Sequence, residues 1–346
     1  MLEIDGSRGE GGGQVLRSCL SLSLLTGKAF TIFNIRAGRP RPGLRPQHLA
    51  SVRAAAAISG AKMQGADLSS RRLSFCPGAV RPGRYRFDIG TAGSVSLVFQ
   101  TIFLPLALAG SLSRIEFTGG THVPWSPCFH YLREVFLPVV GAMGFKCRVT
   151  LKKWGFYPKG GGVMEAFISP SRPEAPFLPQ YKEDISIYGI SASAGLPGHV
   201  RIRQAGSARN FLLQHGFDPL IAVEEAEASC PGSLLFLWTS GEGVRGGFTS
   251  LGKRGKSAEK VGREAARKLL AFLESRAACD KYLSDQLILP AALNPGISRW
   301  TTEELTGHLL TNASIAEKFL SCRIICRADA SGSHLIEVKG GVQADS

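Results

Sequence analysis

Apolar and polar positions along the chain follow two periods that keep exchanging. In "GGGQVLRSCLSLSLLTG", Leu16, Leu20 and Leu24 recur at helical spacing, as do Leu49, Val52 and Ala56 in "RPQHLASVRAAAAISG". Both stretches predict helices, stopped by Gly27 and Gly60. The segments "KAFTIFNI" and "RRLSFCPG" predict strands, and "RYRFDI" alternates as a half-exposed strand does. The same rhythm returns downstream as helix "GSVSLVFQTIFLPLALAG" ending at Gly110, strand "SRIEFTGG", helix "PCFHYLREVFLPVVGAMG" ending at Gly144, and strand "FKCRVTL". The two glycine pairs are almost equally spaced, which identifies an internal duplication.

A third, less regular unit follows residue 277: helix "KYLSDQLILPAAL", strand "SRWTTEE", helix "NASIAEKFL", then strands "CRIICRA" and "HLIEVKG". His308 stands just ahead of that second helix. Residues 182–276 keep a different order, with strand "DISIYGIS", helix "ARNFLLQHG", strands "SLLFLWTS" and "GVRGGFTS", and helix "SAEKVGREAARKLLAFLES". The expectation is a mixed α/β (α+β) protein. Residues 1–181 and 277–346 form a repeat domain, and 182–276 a small α/β insertion after the loop "SPSRPEAPFLPQ". A length of 346 residues exceeds what one core usually organises, in agreement with this division.

Charge narrows the partners. With 41 Lys and Arg against 27 Asp and Glu, the net charge of +14 attracts polyanions such as RNA, DNA, nucleotides or acidic membranes. The most apolar segment, residues 97–110, is broken by Gln100 and Pro105 and is too short to cross a bilayer. The N-terminal residues lack the pattern of a signal peptide, so a cytoplasmic protein with no membrane partner is expected. Eight cysteines include no CxxC pair and are expected to be reduced thiols, not zinc ligands.

Three stretches carry possible chemistry. In "DGSRGEGGGQVLRS", Gly9, Gly11, Gly12 and Gly13 precede a helix, where free N–H groups and the helix dipole suit a phosphate. An ordinary turn needs the same glycines, and Glu10 would repel a phosphate unless a divalent cation stood between them. In "IRAGRPRPGLRPQHL", Arg36, Arg39, Arg41 and Arg45 lie on a loop stiffened by Pro40, Pro42 and Pro46, followed by Gln47 and His48. Such a loop suits phosphate oxygens, and a solvated basic loop is the competing reading. Lys256, Lys260, Arg263 and Arg267 predict a solvated face on the inserted helix. The segment "GFTSLGKR" fails as a P-loop, because Arg254 stands where a hydroxyl should be. KxDG is absent, so a lysine in that setting is not a nucleotide acceptor.

Taken in order, "DGSRGEGGGQVLRS", "IRAGRPRPGLRPQHL", "RFDIGTAGSVSLVFQT", "GGTHVPWSP", "GFYPKGGG", "YLSDQLILP" and "HLLTN" resemble the RNA 3'-terminal phosphate cyclase family over nearly the whole chain. The resemblance implies three repeats, each a four-stranded sheet with two helices, in an enolpyruvyl-transferase-like arrangement interrupted by a small insertion. It implies ATP-dependent conversion of an RNA 3'-phosphate into a 2',3'-cyclic phosphate, with ATP and a divalent metal (Mg or Mn) as cofactors. His308 would be the nucleophile that takes AMP. Glu10 would serve the metal, and Arg17, Arg36, Arg39, Gln47 and His48 would stand around phosphates. Gln100 would contact ATP. Pro127 and Tyr282 would enclose the adenine, with Leu283, Ser284, Asp285 and Gln286 completing that pocket.

Two other classes share such a fold: a noncatalytic RNA-binding relative active in ribosome assembly, and a small-molecule transferase. His308 argues against the first, and the clustered arginines with +14 argue for a polymer over the second. An imidazole with pKa near 6.5 is also a ready nucleophile at neutral pH, whereas a lysine would need its pKa depressed.

Overall fold

The computed structural model describes residues 1–241, 243–329 and 332–341. The first unit runs β1 (Leu2–Asp5), α1 (Gly13–Thr26), β2 (Phe30–Phe33), α2 (Pro46–Ser59), β3 (Lys62–Gln64), β4 (Leu73–Cys76). Its sheet order is β1-β2-β4-β3, with β1 and β2 parallel and the other pairs antiparallel. Leu16, Leu20 and Leu24 face the core as their spacing required, and Gly27 and Gly60 end the helices at φ 69° and 63°. That left-handed conformation lets the chain leave the last turn without the Cβ clash another residue would suffer.

The second unit repeats the topology: β5 (Arg84–Asp88), α3 (Val95–Ala107), β6 (Ser113–Gly119), α4 (Phe129–Tyr131), a π-wound turn (Leu132–Phe136), α5 (Leu137–Ala142), β7 (Cys147–Lys153), β8 (Gly162–Ile168). The sheet order is β5-β6-β8-β7, the same crossing as the first. The third unit, α8 (Lys281–Leu293), β13 (Ile297–Thr302), α9 (Gly307–Phe319), β14 (Arg323–Ala328) and β15 (His334–Lys339), keeps three strands in the order β13-β15-β14. Among the described residues no strand holds the place that β1 and β5 take in the other units, where one parallel bridge joins Cys279 to Thr302. Helices of different units pack on one another, α1 on α3 and α9, and α2 on α3. The site elements are therefore helix N-termini gathered around a shared apolar centre.

Between the second and third units lie β9 (Ser186–Ala194), α6 (His199–Leu213), β10 (Leu220–Glu225), β11 (Gly232–Ser240), β12 (Gly247–Leu251) and α7 (Ala258–Glu274), with sheet order β10-β9-β11-β12. Alternation along β11 explains how this sheet is held. Leu235 and Leu237 join α6 and α7 in a second apolar cluster, while Leu234 and Phe236 point the other way into the main core. The central strand β11 is buried on both faces, so the inserted segment docks firmly on the second unit.

Candidate active site

Three helix starts and one arginine loop meet around Glu10. The turn before α1 brings Glu10 N–H to Thr311 Oγ1 at 3.1 Å, which ties the first unit to α9. Gly9 (φ 66°) allows this approach, since a Cβ there would lie 2.2 Å from Thr311 Oγ1. The Glu10 side chain is only 7% exposed and accepts from Arg39 Nη2 at 2.5 Å. Its other oxygen lies 3.8 Å from His308 Nδ1. The N-cap of α1, Gly12, has no side chain to cap the helix, and Glu10 Oε1 accepts from Gln14 N–H at 3.3 Å instead, so only the remaining N–H groups of that turn are open to a ligand.

His308 lies inside the first turn of α9, not ahead of it. Thr306 is the N-cap, its hydroxyl accepting from Leu309 N–H at 3.0 Å. The imidazole is 47% exposed, and burial of the remainder is the main cause that holds its pKa below the usual histidine value. Glu10 pulls it upward, and Arg17 and Arg39 push it downward. The balance leaves a neutral ring at pH 7. On the same helix face, Thr311 and Asn312 follow at the i+3 and i+4 positions. Asn312 Oδ1 accepts from Gln14 Nε2 at 3.1 Å and Ser18 Oγ at 2.5 Å, and its amide donates to the Asp285 carbonyl at 2.9 Å. This bracket locks α1, α8 and α9 together. Its signal was in the sequence as the polar pair inside "HLLTN", though helical spacing from His308 is needed to read it.

The basic side chains divide by role. Arg17 donates to Gln14 Oε1 at 2.7 Å, and desolvation lowers its pKa to about 10 despite Glu10 and Asp285 nearby. Arg36 braces its own loop, donating to the carbonyls of Arg41 (2.7 Å) and Gly43 (3.0 Å). Its φ of 55° turns the loop back so that Arg39 reaches Glu10. His48 Nδ1 accepts from Arg45 N–H at 3.2 Å, which leaves the proton on Nε2, aimed at Gly13. Burial and three arginines depress its pKa to about 3, so it is a neutral donor. A Cβ at Gly13 would meet that nitrogen at 2.2 Å. Gln47 Oε1 accepts from Ser94 N–H at 2.9 Å and so fastens α2 to the start of α3.

Gln100 is the one half-buried side chain in an otherwise buried α3, and it donates to Gln286 Oε1 at 2.5 Å. Gln286 in turn donates to the Tyr282 carbonyl, leaving the Tyr282 ring 45% exposed. Leu283 and Ser284 turn into the core, Ser284 accepting from Trp300 Nε1 at 3.2 Å. Only their backbone could face a ligand. Asp285 is desolvated, which raises its carboxyl pKa well above the usual range, with Asp280 adding to the rise and Arg17 opposing it. Pro127 is half-buried on the loop that joins β6 to α4.

Asp280 was missed from sequence. Fully buried at the N-cap of α8, it accepts from Tyr282 N–H, Leu283 N–H, Tyr131 Oη and Gly247 N–H. One carboxylate thus joins the third unit, the second unit and the inserted sheet. The basic stripe also needs correction. Lys256 precedes α7, and its side chain is 8% exposed, with the ammonium bonding Ser250 Oγ, the Leu251 carbonyl and Glu264. Lys260, Arg263 and Arg267 do line an open groove of about 500 Å³ on α7, but Glu259 and Glu264 line it too. That groove lacks the convergence seen around Glu10.

The site thus sets a neutral, half-exposed histidine among arginines and glycine-rich helix starts, on a repeated α/β frame. Residues 8–326 match the family model described as RTC: RNA 3'-terminal phosphate cyclase. The chain belongs to that family. It is similar to the RNA 3'-terminal phosphate cyclase of Archaeoglobus fulgidus, 46% identical over 92% of this chain and 96% of the relative. It is also similar to those of Methylococcus capsulatus (42%, covering 98% and 97%) and Caldivirga maquilingensis (46%, covering 94% of each). The enolpyruvyl transferase NikO from Streptomyces tendae matches 62% of this chain and 38% of its own at 15% identity, with a TM-score of 0.29. At that score the fold rests on the repeat topology alone. No described helix is long and apolar enough to cross a membrane.

Proposed function

We propose that the chain uses ATP to convert an RNA 3'-terminal phosphate into a 2',3'-cyclic phosphate, with AMP carried covalently on His308. The observation that supports this reading is the placement of a neutral His308 3.8 Å from Glu10, where the glycine turn, the Arg39 loop and α9 converge. With Nδ1 turned toward Glu10, Nε2 is the nitrogen free to attack. It forms a P–N bond to the α-phosphorus as the bond to pyrophosphate breaks. An oxygen of the RNA 3'-phosphate then displaces the imidazole, giving an RNA 3'-adenylyl diphosphate. The 2'-hydroxyl attacks the RNA phosphorus, gives its proton to solvent, and AMP leaves.

The chain's residues divide this work. Arg17, Arg39 and His48 donate to phosphate oxygens, and the first turn of α1 adds the backbone N–H groups that Glu10 does not hold. Tyr282, Pro127 and the Gln100–Gln286 pair form the nucleoside side. Glu10 offers one carboxylate, which would suit a divalent cation such as Mg or Mn. Bound there, such a cation would neutralise charge on the triphosphate, and Arg39 would exchange Glu10 for a phosphate. Residues 182–276 act in this reading as a separate unit docked beside the site.

Incubation with α-labelled ATP tests the proposal. The protein should acquire a label that is labile in acid and stable in alkali, as a phosphoramidate is. His308→Ala should abolish labelling, yet still cyclise RNA supplied as the 3'-adenylyl diphosphate, because closure needs positioning and not the nucleophile. A His308→Ala protein that still labels would remove His308 from the role.

A further inference from the structure

Away from His308, the segment "HVPWSPCFH" brings together three metal-ligand side chains that the proposed reaction leaves idle. Ring nitrogens of His122 and His130 and the Cys128 sulfur all lie within 4.8 Å of one another, and all three residues are buried. No CxxC pair marks them in the sequence, because the donors are mixed and spaced H-x5-C-x-H. From this convergence we infer that the protein holds a structural zinc ion between His122, Cys128 and His130.

The surroundings fit a metal better than an ordinary core. Two imidazoles and one thiol form a soft, nitrogen-and-sulfur donor set, the kind that selects zinc over magnesium or calcium. His122 Nε2 and His130 Nδ1 share a hydrogen bond at 2.9 Å. Zinc would replace that bond with one N–Zn bond from each ring. The proton on His122 moves to Nδ1, where Thr121 Oγ1 waits at 2.8 Å. Thr121 is held in turn by Gly155 N–H at 2.8 Å. An outer partner that fixes the tautomer of a ligating imidazole is the usual support of such sites. The Cys128 thiol releases its proton to solvent, and no electron is transferred. Trp154 stacks on His122 at 4.2 Å and keeps the ring in place. Thr249 Oγ1, 3.5 Å from Cys128 Sγ, brings the inserted sheet to the same point. A water molecule would be the fourth ligand of a tetrahedral set.

The three donors bracket Val123 to Pro127. Within that loop Trp125 is 98% exposed at φ 59°, and Pro127 is assigned above to the nucleoside side. Zinc would staple the loop to the start of α4, and so fix the wall of the ATP site without touching ATP.

The test is metal content and cobalt spectroscopy on full-length protein expressed with zinc supplementation. About one zinc per chain should survive gel filtration, and Co(II) substitution should give tetrahedral visible bands with a thiolate-to-cobalt charge-transfer band. Cys128→Ser, close to isosteric, should lose that charge-transfer band. Glu10→Ala and His308→Ala should keep the full complement, which separates this metal from any at the phosphate site. Wild-type protein with no retained zinc and no tetrahedral cobalt spectrum would overturn the inference, whatever the variants do. So would an unchanged cobalt spectrum in folded Cys128→Ser.

Discussion

The Glu10 carboxylate, 3.8 Å from His308 Nδ1 and also bonded to Arg39, sets the state of the imidazole through two opposed effects. Burial and the neighbouring arginines lower the pKa of His308, and Glu10 raises it. A base whose folded pKa is lowered stays neutral further into acid. Single-turnover self-adenylylation should therefore hold its rate as pH falls through 6.5 and decline only below that, unless triphosphate binding fails first. Removing the carboxylate charge removes the one upward influence. In Glu10→Gln, the His308 ring titration followed by NMR should move to lower pH. A shift to higher pH would mean that the released Arg39 leaves the imidazole, and that Glu10 does not act on it directly.

At the scale of elements, Asp280 is the joint of greatest consequence. Burial and Glu303 push its carboxyl up to about 7, while four donors from three parts of the chain favour the charged form. Asp280→Asn keeps the shape but turns an amide toward donors, and should cost about 2–4 kcal/mol of stability by denaturant titration. An acid whose folded pKa is raised contributes stability that is present below the unfolded value of 3.8 and is lost as pH rises through about 7. The deficit of the variant should thus narrow between pH 4 and 7. A deficit that widens over this range would show that the four donors outweigh burial and that Asp280 is ionised.

Elements were legible in the sequence where apolar periodicity ran long. α1, α2, α3 and the helical stretch from Phe129 to Ala142 sit where Leu16, Leu49 and their partners predicted, and both duplicated units share one strand order. β1, β3, β8 and β10 were not read. β1 and β3 are short, β10 is an exposed edge strand whose outward residues hide the alternation, and β8 carries buried Met164, Glu165 and Ala166 in succession. The chemical residues were legible through ordered blocks. Their wiring was not, because Thr311 to Glu10, Asn312 to Gln14 and Tyr131 to Asp280 are contacts between distant segments. Local pattern encodes a helix face and not what it meets.

For the whole molecule, +14 poses a choice between a diffuse cationic coat and a local anion site. Many basic side chains are already paired across the surface, among them Arg203 with Glu259, Arg209 with Asp218 and Arg299 with Glu337. Paired charges of this kind release few counterions on binding. Arg39 differs under the proposed function, in which Glu10 would turn to a cation when phosphates arrive and free the guanidinium for the RNA end. Affinity for single-stranded RNA should then fall linearly as salt rises on a logarithmic scale, by about 0.7 per phosphate neutralised. Arg39→Ala should lose about one such contact and should erase most of the preference for a 3'-phosphate over a 3'-hydroxyl, while a charge removed from α7, as in Arg263→Ala, lowers affinity for both ends alike or not at all. Filter binding with the two RNA ends across a salt series measures both effects. If Arg39→Ala weakens the two RNAs equally, the arginine loop serves the general field of the protein, and recognition of the terminal phosphate lies with Arg17 and His48 instead.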